Sequence, residues 1–452
     1  MGNSNSSNNH TTLHPSQAHY SPSCKHIQRY LINDGWCKKC TMKSVNSGHR
    51  GLDKLILRTQ KKSTSWTDPF LEWIPFEHFR DVCKIDEGGF GIVYRATWTQ
   101  GSRQERSRDG KIKSQRTRTG PITVTLKCIK NSQEMSDDYL KRLKSYYKTS
   151  LVQSRKRMQQ LLKFYGISKD PTTGEYIIVT QYTEHGSLRT LFYSDFPSFR
   201  WTEKSWWLCD IASNLLTLHK EGIVHGNIHS GNILQIGELT RETTSTLADT
   251  GLNFPASTLN YNIERDVYGV LPYLAPEVIM GNALSKESDV FSIGILMIEM
   301  STGIPPFSHR PHDEQLALEI CQGLRPELAQ GTPKVYADLA RKCCSTDPSS
   351  RPTTKDLLYI FNSWWSIMNS DDPDNLQVRN SFLKADLLIP DIMEKRNSIV
   401  KDEQAIFKSR LIQFQDVFEK RNTNYSLQSE PTNSVKFSLL DLNLPNITIG
   451  FD

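Results

Sequence analysis

The stretch Ile223-Val224-His225-Gly226-Asn227-Ile228-His229-Ser230-Gly231-Asn232-Ile233-Leu234 decides how this chain is read. An apolar lead-in and an aliphatic exit confine His225, Asn227 and Asn232 to one tight turn. A short polar loop held between buried segments is a common place for binding and catalytic side chains.

Working outward, the residues before the loop have helical periodicity. Ser205 to Lys220 places Trp206, Ile211, Leu215 and Leu218 on one face. After the loop, helices are expected at about 285–301, 313–321, 335–344 and 353–364. The N-terminal half reads differently. Strand patterns cover 79–85, 91–98 and 122–129, and a hairpin over 164–182 turns on Pro171-Thr-Thr-Gly174. One helix from about Ser136 interrupts them, with Leu140, Leu143, Tyr147 and Leu151 on a face. Five strands plus one helix, followed by helices, predict an α+β, bilobal body over 76–362.

Composition narrows the function classes. The 452 residues are 37% hydrophobic, with a mean hydropathy of -0.51 and a net charge of +6. That charge is too small over this length to imply nucleic acid. Between Arg103 and Arg118 seven Lys/Arg face two acids without interleaved aromatics, which reads as a solvated insertion between strands. Nine cysteines without a hydrophobic signal segment predict a reducing, cytoplasmic setting. The most apolar run, Ile293 to Met300, is too short to cross a bilayer.

Further motifs occur in a fixed order around the loop. They are Asp86-x-Gly88-x-x-Gly91 with Val93, Val124-Thr-Leu-Lys127, Ala248-Asp249-Thr250-Gly251, Ala275-Pro276-Glu277, Asp289-Val-Phe-Ser-Ile-Gly294 and Arg351-Pro352. Together with the loop, they make the chain resemble a protein kinase over about 290 residues. Phe70-Leu-Glu-Trp-Ile-Pro-Phe76, Gly186-Ser-Leu-Arg189 and His229-Ser-Gly-Asn232 resemble the tyrosine-kinase-like set expanded in arbuscular-mycorrhizal fungi.

The resemblance implies a site for ATP and Mg²⁺. Gly88 and Gly91 would let the backbone approach phosphates, and Lys127 would pair with them. Ile85, Val93, Thr125 and Leu234 would enclose the adenine, with Thr180 as gatekeeper and Gln181 to Thr183 as the hinge. Asn232 and Asp249 would supply the metal-holding oxygens. Glu277 and Arg351 would form a buried, structural ion pair.

Five positions depart from the kinase pattern. Asn227 stands where an Asp accepts the substrate's proton, and a neutral amide can orient a hydroxyl but not take its proton. Gly226 replaces the arginine that reads a phosphorylated activation segment, although Thr258, Tyr261 and Tyr268 lie in that segment. Arg142 aligns where a glutamate should meet Lys127, with Asp138 one turn earlier as a substitute. Thr250 replaces the Phe of Asp-Phe-Gly, and Asp86 replaces the first glycine. The His225-Gly-Asn227 triplet is similar to that of the Janus-kinase pseudokinase domains. The reading is a pseudokinase signalling protein, with an active but slow serine/threonine kinase as the alternative. Its implied partners are other signalling proteins or an active kinase.

The flanks carry separate expectations. Residues 1–20 are polar and read as an unstructured tail, and Met1-Gly2-Asn3-Ser4-Asn5-Ser6 fits N-myristoylation at Gly2, a weak membrane anchor. In 21–45, Cys24, His26, Cys37 and Cys40 read either as ligands of a structural Zn²⁺ or as reduced, unligated side chains. Trp36-Cys-x-x-Cys40 lacks the strand–helix–strand surroundings of a redox site. Residues 46–75 read as a linker that ends in an apolar cluster. In the tail, 363–452, an amphipathic helix is expected near 402–420, with Phe407, Leu411, Phe414 and Phe418 aligned.

Overall fold

The computed structural model describes residues 45–63, 68, 70–108, 111–154, 162–237, 243–249 and 267–412. Gly2, Cys24, His26, Cys37, Cys40, Thr250, Thr258 and Tyr261 lie outside them, as does the tail beyond 412. Among the described residues no helix is long and apolar enough to cross a membrane, and no cluster of His, Cys, Asp or Glu is arranged to hold a metal.

The N-terminal lobe is a twisted sheet with a helix layer on one face. Its strands are β1 (Glu72–Trp73), β2 (Phe79–Glu87), β3 (Gly91–Trp98), β6 (Ile122–Ile129), β7 (Phe164–Lys169) and β8 (Tyr176–Gln181). They lie in the order β1-β7-β8-β6-β3-β2, so the sheet has six strands and not the five expected. The extra strand comes from the apolar cluster at 70–76. Phe70, Leu71 and Ile74 are buried, and Glu72–Trp73 runs parallel to Gly166–Ile167 at the sheet edge.

The polar insertion folds into a separate hairpin, β4 (Arg103–Arg108) and β5 (Lys111–Arg118). Arg103 and Arg118 both reach Glu72, at 2.8 and 2.6 Å, so two of its basic residues fasten the hairpin to β1.

The linker expectation for 46–75 is corrected. Helix α1 (Arg50–Lys62) buries Leu52, Leu55, Ile56 and Thr59, a helical stripe at 3–4-residue spacing. It packs with α2 (Asp137–Ser154), where Tyr139, Leu143, Tyr146 and Tyr147 join the same core. The short stripe sits among lysines and arginines, which masks its periodicity in the sequence.

The C-terminal lobe is helical. After α3 (Leu188–Asp195), its centre is formed by α4 (Trp201–Lys220), α6 (Lys286–Thr302) and α9 (Thr354–Met368), with the short α5 (Pro276–Ile279) following the activation segment. Helices α7 (Glu314–Cys321) and α8 (Lys334–Cys343) complete the lobe. The four C-lobe helices expected beyond residue 280 therefore form within a few residues of their predicted limits. In α4 Trp201 and Trp207 are buried in the core, and Trp206 is half-buried against it.

Two further helices, α10 (Leu376–Leu387) and α11 (Ile389–Ser398), cover the lobe, and Phe382 and Ala385 are buried in its core. The ordered body thus extends past 362. Beyond α11, the expected helix at 402–420 does not form over its described part. Residues 402–409 run as turn and extended chain, and Arg410–Ile412 make strand β12. Its backbone groups are taken by β11 (Val267–Gly269), which it pairs antiparallel, Val267 opposite Ile412 and Gly269 opposite Arg410. A partner strand displaced the local helical preference.

Candidate active site

The loop of the opening stretch lies between the lobes and is anchored from below by one buried carboxylate. Asp289, at the start of α6, accepts the backbone N–H groups of His225 and Gly226, both at 2.8 Å, and faces His219 Nε2 at 2.9 Å. His225 Nε2 donates to Ala248 O at 3.0 Å, and its Nδ1 accepts the Asn227 N–H at 3.2 Å. Burial lowers the His225 pKa, so this ring is a neutral brace between the loop and the Ala248 backbone next to Asp249.

Gly226 has φ +72°, the left-handed region that side chains avoid, and a Cβ there would stand 2.6 Å from Leu284 Cδ1. The absent arginine therefore accompanies a backbone shape that does not suit one.

Asn227 is buried. Its carbonyl accepts Asn232 Nδ2 at 3.0 Å, and its side-chain Oδ1 accepts the Ser409 hydroxyl at 3.0 Å. His229 completes the contact. Its Nδ1 accepts the Gly231 N–H at 3.1 Å, which leaves Nε2 to face Ser409 Oγ at 3.4 Å. Burial, then the Arg189 cation, hold the His229 pKa well below its ordinary value.

Lys127 and Asp249 meet directly, Nζ to Oδ2 at 2.6 Å. Lys127 thus has an acidic partner, but that partner is Asp249 and not a residue of α2. Asp138, the substitute expected from sequence, pairs instead with Lys141 at 2.9 Å. On that helix, burial and then the Asp249 carboxylate raise the pKa values of Tyr139 and Tyr146.

Around this pair the sheet registers set the cleft. Val93 lies opposite Lys127, and Thr125 lies opposite Thr180. Thr180 is buried, Leu234 follows Asn232 on β9 (Ile233–Ile236), which pairs with β10 (Thr244–Leu247), and Ile85 stands exposed on β2. Gln181 ends β8, and Thr183 opens the turn towards α3 by accepting the Gly186 N–H.

The glycines of the turn also have contacts within the fold. A Cβ at Gly91 would stand 2.4 Å from Cys128 O, so this glycine serves the approach of β3 to β6. The Gly88 N–H donates to Gly91 O at 2.9 Å, and it is Gly89 whose N–H points outward, to Ser409 O at 3.1 Å.

The residues present fit a magnesium–nucleotide pair. Asn232 commits its Nδ2 to the loop, which presents its oxygen, and Asp249 adds a carboxylate beside the Lys127 cation. Hard oxygen donors and one lysine suit Mg²⁺ and phosphate. When bound, the nucleotide would supply the transferable phosphoryl group.

Comparison with known proteins agrees with this geometry. The family profile described as protein tyrosine and serine/threonine kinase matches residues 79–361. The chain belongs to the protein kinase family. It is 26% identical over 306 residues to a probable serine/threonine-protein kinase of Dictyostelium discoideum, covering 65% of this chain and 15% of that protein. The probable serine/threonine-protein kinase roco5 of the same organism is 27% identical over 318 residues, 68% of this chain and 10% of that one. MAP3K epsilon protein kinase 1 of Arabidopsis thaliana is 29% identical over 216 residues, 47% of this chain and 15% of that one. The matched kinase region is thus a small part of each relative's length.

The expected bracing pair of the kinase C-lobe is present and bidentate. Arg351 donates to Glu277 Oε1 at 2.6 Å and Oε2 at 2.8 Å, fully buried on the arginine side. Sequence reasoning did not assign the contacts of Gly89, Arg189 and His312 with residues 406–410, nor that of Ser409 with Asn227. The run Lys408-Ser409-Arg410-Leu411-Ile412 was its available signal, a hydroxyl between two cations before aliphatic residues.

Proposed function

We propose that this kinase-family protein is a pseudokinase of the tyrosine-kinase-like group that binds ATP·Mg²⁺ but transfers phosphoryl groups inefficiently. It would act as a scaffold or allosteric partner of other signalling proteins, an active kinase among them. One observation supports the reading: the amide of Asn227 holds a hydroxyl at 3.0 Å, while Lys127 meets Asp249 and Asn232 is tied to the same loop. An amide accepts the hydrogen bond but not the proton, and loss of a general base typically costs about 10²–10⁴ in rate.

The second reading, a slow serine/threonine kinase, is supported by the same contact and by the names of the relatives. The acceptor hydroxyl is positioned, and phosphate oxygens can take its proton. Incubation of pure protein with γ-labelled ATP, Mg²⁺ and a generic protein substrate separates the two. Transfer far below that of ordinary kinases, together with ATP-dependent thermal stabilisation, supports the pseudokinase. Ordinary transfer rates abolished by Lys127→Ala overturn it.

A further inference from the structure

The segment after α11 returns across the whole front of the loop. Asp402 N donates to Ser308 O at 2.9 Å, and His312 N donates to Gln404 O at 3.1 Å. The His312 ring packs edge-on to Phe407, centroids 4.8 Å apart, while its Nδ1 meets Ile406 O at 2.9 Å. Arg189 donates to Phe407 O at 2.6 Å and lies 5.4 Å over the Phe407 ring. Lys408 Nζ reaches Asp86 Oδ1 at 3.0 Å and Glu87 O at 2.5 Å. Ser409 then fills the space between Asn227, His229 and Gly89. Arg410 donates to His312 O at 2.6 Å, and Ile412 is buried in the C-lobe core beside Val267.

Three features mark this as a fitted ligand and not a chance crossing. The end of the segment, Arg410–Ile412, is extended and adds a strand to β11, a mode in which backbone bonds give affinity and alternate side chains give specificity. Its single hydroxyl in the strand region faces the one loop residue that would meet an acceptor. A Cβ on Gly89 would stand 2.2 Å from Ser409 O, so the glycine-rich turn closes over the tail only because this position is glycine. Asp86, the substitution for the first glycine of the turn, is explained as the partner of Lys408.

We propose that residues 402–412 are the chain's own peptide ligand for this groove, docked in cis. A segment from another protein enters only by displacing them. That competing segment is extended, with an aromatic residue, a hydroxyl residue between two cations, and two aliphatic residues after them. The proposal rests on the reading of Asn227 as the acceptor-facing position. It is tested without nucleotide, so its failure is distinct from failure of the ATP-binding reading.

The test uses the full chain and a fluorescein-labelled peptide of residues 402–412, read by fluorescence anisotropy. Wild type is compared with the tail variant Phe407→Ala/Arg410→Ala, whose groove is unaltered. The variant is expected to bind the peptide at least tenfold more tightly than wild type, and a scrambled peptide is expected not to bind. Equal affinity of the two proteins, or equal binding of the scrambled peptide, overturns the proposal. Hydrogen exchange on the wild-type chain supplies a measure independent of any variant. Excess unlabelled peptide should speed exchange at 410–412 while leaving 267–269 protected. Unprotected amides at 410–412 in the free protein overturn it too.

Discussion

The Ser409 hydroxyl donates to Asn227 Oδ1 at 3.0 Å, although the two residues are 182 positions apart in sequence. On the proposed reading of Asn227 as the acceptor-facing position, this tail hydroxyl stands where a kinase meets the hydroxyl it phosphorylates. Asn227→Asp restores a proton acceptor at that point. Transfer from γ-labelled ATP to a generic substrate is expected to rise by about 10²-fold or more. An unchanged rate would show that the base position does not limit the reaction.

Lys127 and Asp249 neutralise each other at 2.6 Å, and phosphates would draw Lys127 away from that pairing. ATP with Mg²⁺ at about 100 times Kd should stabilise the fold by about 2.7 kcal/mol, visible as a higher melting midpoint. Lys127→Ala and Asn232→Ala are each expected to abolish most of that shift. An equal shift without Mg²⁺ would count against the assignment of Asn232 and Asp249 to the metal.

Gly226 is held at φ +72° by Asp289. Gly226→Ala should lower the unfolding free energy by about 1–2 kcal/mol, the cost of a left-handed conformation for an L-residue. Urea denaturation measures it. A neutral result would mean that the loop relaxes away from the Asp289 anchor.

Arg351 and Glu277 form a buried, bidentate pair. Glu277→Ala leaves the guanidinium uncompensated and is expected to cost about 3–5 kcal/mol. Replacing both residues by apolar ones should cost less than the single change, because no lone charge is then buried. Denaturant midpoints of the two variants decide this.

Lys204 is fully buried, with its amine 4.1 Å over Phe196 and 5.0 Å over Trp201. Burial lowers its pKa to about 7, against partial support from the Asp386 carboxylate. The folded state therefore disfavours the ammonium. The penalty is complete below about pH 7 and fades as pH rises towards the unfolded value of 10.5. Lys204→Met should raise the melting midpoint at pH 7, with the gain shrinking by pH 10. A gain independent of pH would show that packing, not charge, is responsible.

Most of the body was legible because its signals are local. The strand at 91–98 and the helix opening near 285 are set by alternation and by a serine cap, and these depend on neighbours a few residues away. The ordered motifs likewise name Lys127, Asn232 and Asp249, and Lys127 and Asp249 meet at 2.6 Å. Helix α1 was illegible, since its four-residue stripe lies in a basic, polar run. Lys127 illustrates a different limit: its partner was sought one helix away and found on the activation segment, a choice made by distance in space.

By itself, the sequence determined a two-lobed kinase fold with Asn227 in its central loop, because the motifs and their order are chemical statements about single residues. Only the tertiary structure decided what faces that amide. Residues 402–420 have an aromatic and aliphatic pattern, Phe407, Leu411, Phe414 and Phe418, that suits a helix in isolation. Pairing with β11, the His312 clamp and the Asp86–Lys408 contact offer the same backbone a strand's hydrogen bonds instead. Those partners are dozens to hundreds of residues distant, and no local preference encodes them.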